Sequence, residues 1–143
     1  MSTTTPLTDD ELLARFCDTT LPSDAFHHAE HMRAAWLFVR RYGMPDALRE
    51  FPAALRRFAD AKGATTLYHA TITWAYLLLI QERQERRPAD NWPTFAAANA
   101  DLMSWKPSVL DTLYAPGTLA TELARRTFVM PDRALSQRSG DGS

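Results

Sequence analysis

The sequence predicts an all-α, single-domain helical bundle with an apolar fourth helix at its centre. Three observations predict it. No alternating apolar/polar run is long enough for a strand, helix start and stop signals punctuate the chain, and residues 72–80 are apolar on nearly every side. With 143 residues, 45% of them hydrophobic, the chain can enclose one core and is too short for two comfortable ones.

The first helix is expected over residues 8–18. Thr8 and Glu11 form a Thr-x-x-Glu capping box, in which each side chain satisfies a free amide of the helix start. Pro22, Ser23 and Asp24 make a loop. A second helix then starts between residues 24 and 28 and ends at Tyr42, before Gly43. Pro45 and Asp46 open a third helix that Pro52 should kink or divide and that Lys62-Gly63 ends. The fourth starts within residues 66–69 and runs to about Arg86, with a charged last third. Shorter helices follow at 93–103, 107–114 and 119–128, opened by Pro93, by Pro107 and by the Pro116-Gly117 turn. The domain is expected to span 1–135, with a frayed tail at 136–143, where no apolar side chain offers an anchor.

Composition narrows the function. Sixteen Lys and Arg nearly balance seventeen Asp and Glu, so there is no electrostatic footprint for nucleic acid or an anionic membrane. Residues 72–80 fall short of the roughly 18–20 apolar residues of a membrane span. The lone Cys17 cannot form an internal disulfide and reads as a small core residue, and the N-terminus lacks the regions of a signal peptide. A cytoplasmic location is the expectation.

The chemistry concentrates in the histidines. On a helical wheel His28, His31, Met32, Ala35, Phe38, Val39 and Tyr42 share one sector, while His27 lies at its edge and Glu30 outside it. Two imidazoles on a core-facing stripe are costly unless each finds a partner or a metal. On the fourth helix, His69, Thr73, Tyr76 and Ile80 align along one face. If helices two to four run up, down and up, the starts of the second and fourth meet at one end, and His28, His31 and His69 converge there. Helix starts favour neutral imidazole, the form that binds metals and accepts protons, and they attract anions. Three readings stay open: a three-histidine metal centre, a metal-free pocket for a carboxylate or enolate-like ligand with histidine as base, and histidines that merely cap helices. The absence of His-Glu-x-x-His removes zincin chemistry. The aromatic set Trp36, Phe38, Tyr42, Tyr68, Trp74 and Tyr76 reads as core, and Arg49, Arg56, Arg57, Arg86 and Arg87 as solvated faces.

Three segments together resemble a family of small, largely uncharacterised bacterial proteins: Phe26-His27-His28-Ala29-Glu30-His31, Tyr68-His69-Ala70-Thr71-Ile72-Thr73 and Ala124-Arg125-Arg126-Thr127-Phe128-Val129-Met130-Pro131-Asp132. The resemblance spans residues 26–132. It implies that His28, His31 and His69 are the site, with Tyr68, Thr71 and Thr73 around them, and it brings no established reaction. The expectation is a small-molecule enzyme in which these histidines hold zinc or iron, or share acid–base work with Tyr68 and Thr73. The alternative is a noncatalytic ligand-binding or protein-interaction module.

Overall fold

The Thr8 capping box closes as its spacing requires: the Thr8 hydroxyl accepts from the Glu11 amide at 3.1 Å, and the Glu11 carboxylate accepts from the Thr8 amide at 2.9 Å. It opens α1 (Asp9–Cys17). The computed structural model describes residues 7–64 and 68–133, so the expected tail at 136–143 and the domain limit at 135 lie outside the described residues. Helix α2 (His28–Tyr42) ends at Gly43, whose φ of 71° would strain any side-chain-bearing residue. It is followed by α3 (Asp46–Ala61) and α4 (Ala70–Arg86). The later helices are short: α5 (Trp92–Ala98), α6 (Ala100–Met103) and α7 (Glu122–Arg126). Among the described residues there are seven α-helices and no strand, and no helix is long and apolar enough to cross a membrane.

Several expectations are corrected. Pro52 does not divide the third helix; α3 runs through it, and the proline is buried in the packed face, where apolar contact offsets one lost backbone bond. The expected helix at 93–103 breaks at Asn99, whose buried amide donates to the Phe95 carbonyl at 2.9 Å and accepts from Arg83 at 3.0 Å. Arg83 also grips the Asp101 carboxylate with two bonds of 2.9 and 2.8 Å, which fixes this corner on α4. In place of a helix at 107–114 stands a 3₁₀ turn, Val109–Thr112, and a second one, Thr118–Ala120, precedes α7. Tyr42, expected on the core stripe, is 44% exposed at the last position of α2, with its ring against Phe38. Cys17 is exposed on the last turn of α1, although partial burial still raises its thiol above the usual range. No histidine lies among the neighbours of its surface pocket.

Helix α4 packs on α2, α3 and α7, as a central helix should, and α2 shares the centre by packing on α1, α3, α4 and α6. Residues 34–39 of α2 are consequently all buried, Trp36 included. The far side of the core is aromatic. Phe16 of α1 is fully enclosed, with the rings of Phe26, Phe38, Phe51 and Phe58 centred 4.9–6.1 Å away.

The C-terminal run folds back over the start of α4. The buried Thr71 hydroxyl donates to the Thr127 carbonyl at 2.8 Å and accepts from the Val129 amide at 3.0 Å. Tyr114 donates to the Val129 carbonyl, and Asp132 accepts from the Ala115 amide and the Thr118 hydroxyl, each at 2.7 Å. These bonds hold the Asp132 carboxyl below the usual carboxylate range. The closing motif is therefore a clasp that fixes the end of the bundle at which α4 begins.

Candidate functional site at the starts of α2 and α4

His28 is the first residue of α2, His31 lies one turn on, and His69 is the N-cap of α4. All three line a single cavity of about 590 Å³. Phe26, Met32, Ala35, Phe51, Leu55 and Ile72 form its apolar wall, Thr73 and Tyr76 add hydroxyl-bearing side chains, and Trp105 and Arg125 are exposed members of its lining. His27 stands outside with a side chain 75% exposed. Tyr68 is not among the lining residues; its ring lies 4.5 Å beneath the Arg56 guanidinium, and burial raises its phenol.

The three rings are committed differently. The His69 Nδ1 accepts the Ile72 amide at 3.1 Å, so the ring proton sits on Nε2, which donates to the Leu119 carbonyl at 2.7 Å. Both nitrogens are thus used in architecture. The His28 Nε2 lies 2.8 Å from the Leu102 carbonyl, an acceptor only, which assigns the proton to Nε2 and leaves the Nδ1 lone pair open. The ring also meets Trp105, with centroids 5.2 Å apart.

His31 is the exception. Its ring packs against Phe26, with centroids 4.0 Å apart, and neither nitrogen has a hydrogen-bonding partner among the described residues. Among those residues no fully enclosed side-chain nitrogen or oxygen lacks a partner, so the His31 nitrogens keep access to the cavity they border. Burial, and secondarily the neighbouring His28, pushes its pKa from 6.5 down to about 4. The ring is neutral at pH 7.

Thr73 and Tyr76 border the cavity with occupied hydroxyls. Thr73 donates to the His69 carbonyl at 2.7 Å, and Tyr76 shares a 2.8 Å bond with Ser108. A tetrahedral zinc or ferrous centre needs a lone pair from each ligating ring. His69 has none to give without uncapping α4, so the donor set does not fit a centre built on His28, His31 and His69. Among the described residues no group of three or more His, Cys, Asp or Glu side chains is placed to hold a metal ion.

The chain matches no family model, no curated protein and no solved structure. The roles of the motif residues therefore rest on this geometry. Wheel position and helix order bring His28, His31, His69 and Thr73 to one cavity, whereas Trp105 and Arg125 were not legible as members of it. Trp105 stands in a Ser/Pro-flanked turn, where a large aromatic without a helical partner is the one available signal. Arg125 lies on a five-residue helix whose placement depends on the clasp.

Proposed function

We propose that this protein is a small-molecule-processing enzyme in which His31 exchanges a proton with a ligand held in the histidine-lined cavity. The observation that carries the reading is the His31 imidazole, half-buried against Phe26, open to the cavity and without a hydrogen-bonding partner among the described residues. Both nitrogens are reached from the cavity, so a ligand that bonds to one of them replaces water there and gains a hydrogen bond beside an apolar wall. The ring enters the reaction neutral and takes a proton from a C–H or O–H of the ligand, whose bonding electron pair stays behind as an anion. The resulting imidazolium is stabilised by the anion formed beside it, which offsets the burial that makes His31 a weak base in the empty cavity. His28, one helical turn away, disfavours a second positive charge and offers an acceptor lone pair at Nδ1, so the pair works with one proton at a time.

A second reading has its own support. His69 wholly, and His28 in part, serve the backbone, as structural histidines in a noncatalytic binding module would. Deuterium exchange separates the two. Aryl and alkyl ketones incubated with the protein in heavy water should wash deuterium into the carbon next to the carbonyl, and His31→Gln should abolish the washing while leaving binding intact. Binding without exchange would assign the module, and a cavity that binds no member of the panel would remove both readings.

A further inference from the structure

We propose that His28 sets the substrate class: the ligand is an uncharged α-hydroxy ketone on an apolar body, with its hydroxyl on the carbon whose proton His31 takes. This rests on the proposed proton transfer at His31 and names what that site accepts. Most polar side chains around the cavity are already engaged. His69 uses both ring nitrogens, Thr73 and Tyr76 hold their hydroxyls in bonds of 2.7 and 2.8 Å, and the exposed Arg125 donates to the Tyr68 carbonyl at 3.4 Å. The two imidazoles of α2 remain, and they differ. His31 keeps both nitrogens, whereas His28 gives its ring hydrogen to the Leu102 carbonyl and presents Nδ1 as an acceptor alone.

A fixed acceptor calls for a donor on the ligand. The His28 ring is held by the Leu102 bond and by Tyr76 and Trp105, with centroids 5.3 and 5.2 Å away, so its lone pair is oriented before a ligand arrives. His28 and His31 stand three residues apart on one helix, with Cβ atoms about 5–6 Å from each other, close enough for the two rings to meet adjacent atoms of one ligand. No Asp or Glu lines the cavity among the described residues, so an ammonium donor would lack a counter-charge there and a hydroxyl is the donor that fits. Phe26, Met32, Phe51 and Leu55 take the hydrocarbon. In the transfer the C–H bond beside the carbonyl breaks, the proton joins a His31 nitrogen, and the electron pair moves onto the carbonyl oxygen as an enolate. Return of the proton restores the ketone, so no co-reactant is consumed.

The test compares α-hydroxyacetophenone with its methyl ether and with acetophenone. Each would be titrated into the full chain at pH 7 and followed through histidine-ring NMR signals, with deuterium exchange from heavy water read on the same samples. The hydroxy ketone should bind about three- to tenfold more tightly than either relative, the size of one net hydrogen bond, and should move the His28 Nδ1 signal. His28→Phe keeps a ring beside Tyr76 and Trp105; it should bring the hydroxy ketone to the affinity of acetophenone and leave acetophenone unchanged. A hydroxy ketone that binds the unaltered protein no more tightly than acetophenone, while both bind and exchange, would overturn the role of His28 and leave proton transfer at His31 standing. Three compounds that neither bind nor exchange would overturn both.

Discussion

Two helix starts border one cavity, and they handle their polar groups in opposite ways. At the start of α4 every side-chain group is closed: His69 caps Ile72 and reaches Leu119, Thr71 staples the C-terminal run, and Thr73 bonds back to the His69 carbonyl. At the start of α2 the histidines keep lone pairs, and His31 keeps both nitrogens, turned to the cavity. A satisfied network rigidifies, whereas nitrogens at a cavity wall without protein partners stay open to water or to a ligand. The α4 side is the frame of the site and the α2 side its reactive surface, although both read alike in the sequence.

Removing the frame should have the largest effect. His69→Ala deletes the N-cap, worth about 0.5–2 kcal/mol, and strips the Leu119 carbonyl of its donor, for a total of about 2–4 kcal/mol. Urea unfolding at pH 7 would measure it. His69→Asn keeps a capping side chain and loses the reach to Leu119, so it should recover about half of that loss. A His69→Ala protein of wild-type stability would mean that this ring belongs with His31 on the reactive side.

The reactive side predicts a pH dependence of definite sign. Folded His31 binds its proton near pH 4 and the unfolded chain near 6.5, so between these values the unfolded state holds more protons and acidification favours unfolding. The contribution is flat above pH 6.5 and grows to about 3 kcal/mol of lost stability by pH 4, at about 1.4 kcal/mol per pH unit. His31→Phe should remove that slope and, at pH 7, leave the domain as stable or slightly more so. Unfolding curves of both proteins at pH 7, 5.5 and 4.5 make the comparison, and parallel losses would place His31 outside the buried cavity.

The clasp gives a smaller effect. Thr71→Val keeps the shape of the side chain while leaving the Thr127 carbonyl and the Val129 amide without their bonds, at a cost of about 1–2 kcal/mol. Amide exchange at Val129 should accelerate more than at Trp36, because the opening is local.

The difference between the two helix starts was hidden in the sequence for a physical reason. Local signals were legible: the Thr8–Glu11 box, Gly43 at the end of α2 and the Lys62-Gly63 stop act within one turn of themselves, and the structure places each accordingly. Convergence of the histidines was legible too, since short connections fix the direction of consecutive helices. The closure of His69 depends on Leu119, fifty residues away, and that of His28 on Leu102, seventy-four away. No periodicity encodes such partners. The same limit hid the break at Asn99, set by Arg83, and the 3₁₀ turn Thr118–Ala120, whose first hydroxyl donates to Asp132.

The smallest expected effect sharpens the comparison most, because it concerns a residue adjacent in sequence to the site. His27 precedes His28 directly, yet as the residue before the first turn of α2 it points its ring to solvent. His27 and Glu30 form a capping box whose firm half is the backbone one: the His27 amide donates to the Glu30 carboxylate at 2.8 Å, a bond that survives any side-chain replacement except proline, while the ring makes no full hydrogen bond to the cap. Its ring lies 3.5 Å from the same carboxylate, an exposed pairing of the kind worth well under about 1 kcal/mol. His27→Ala should therefore shift stability by no more than about 0.5 kcal/mol and leave ligand affinity and the pH 4–6.5 slope unchanged. Calorimetric unfolding and titration with the ketone panel would check both. A His27→Ala protein that lost ligand binding would show that the reactive surface extends to the outer edge of α2, and the division between an open and a closed helix start would have to be redrawn around it.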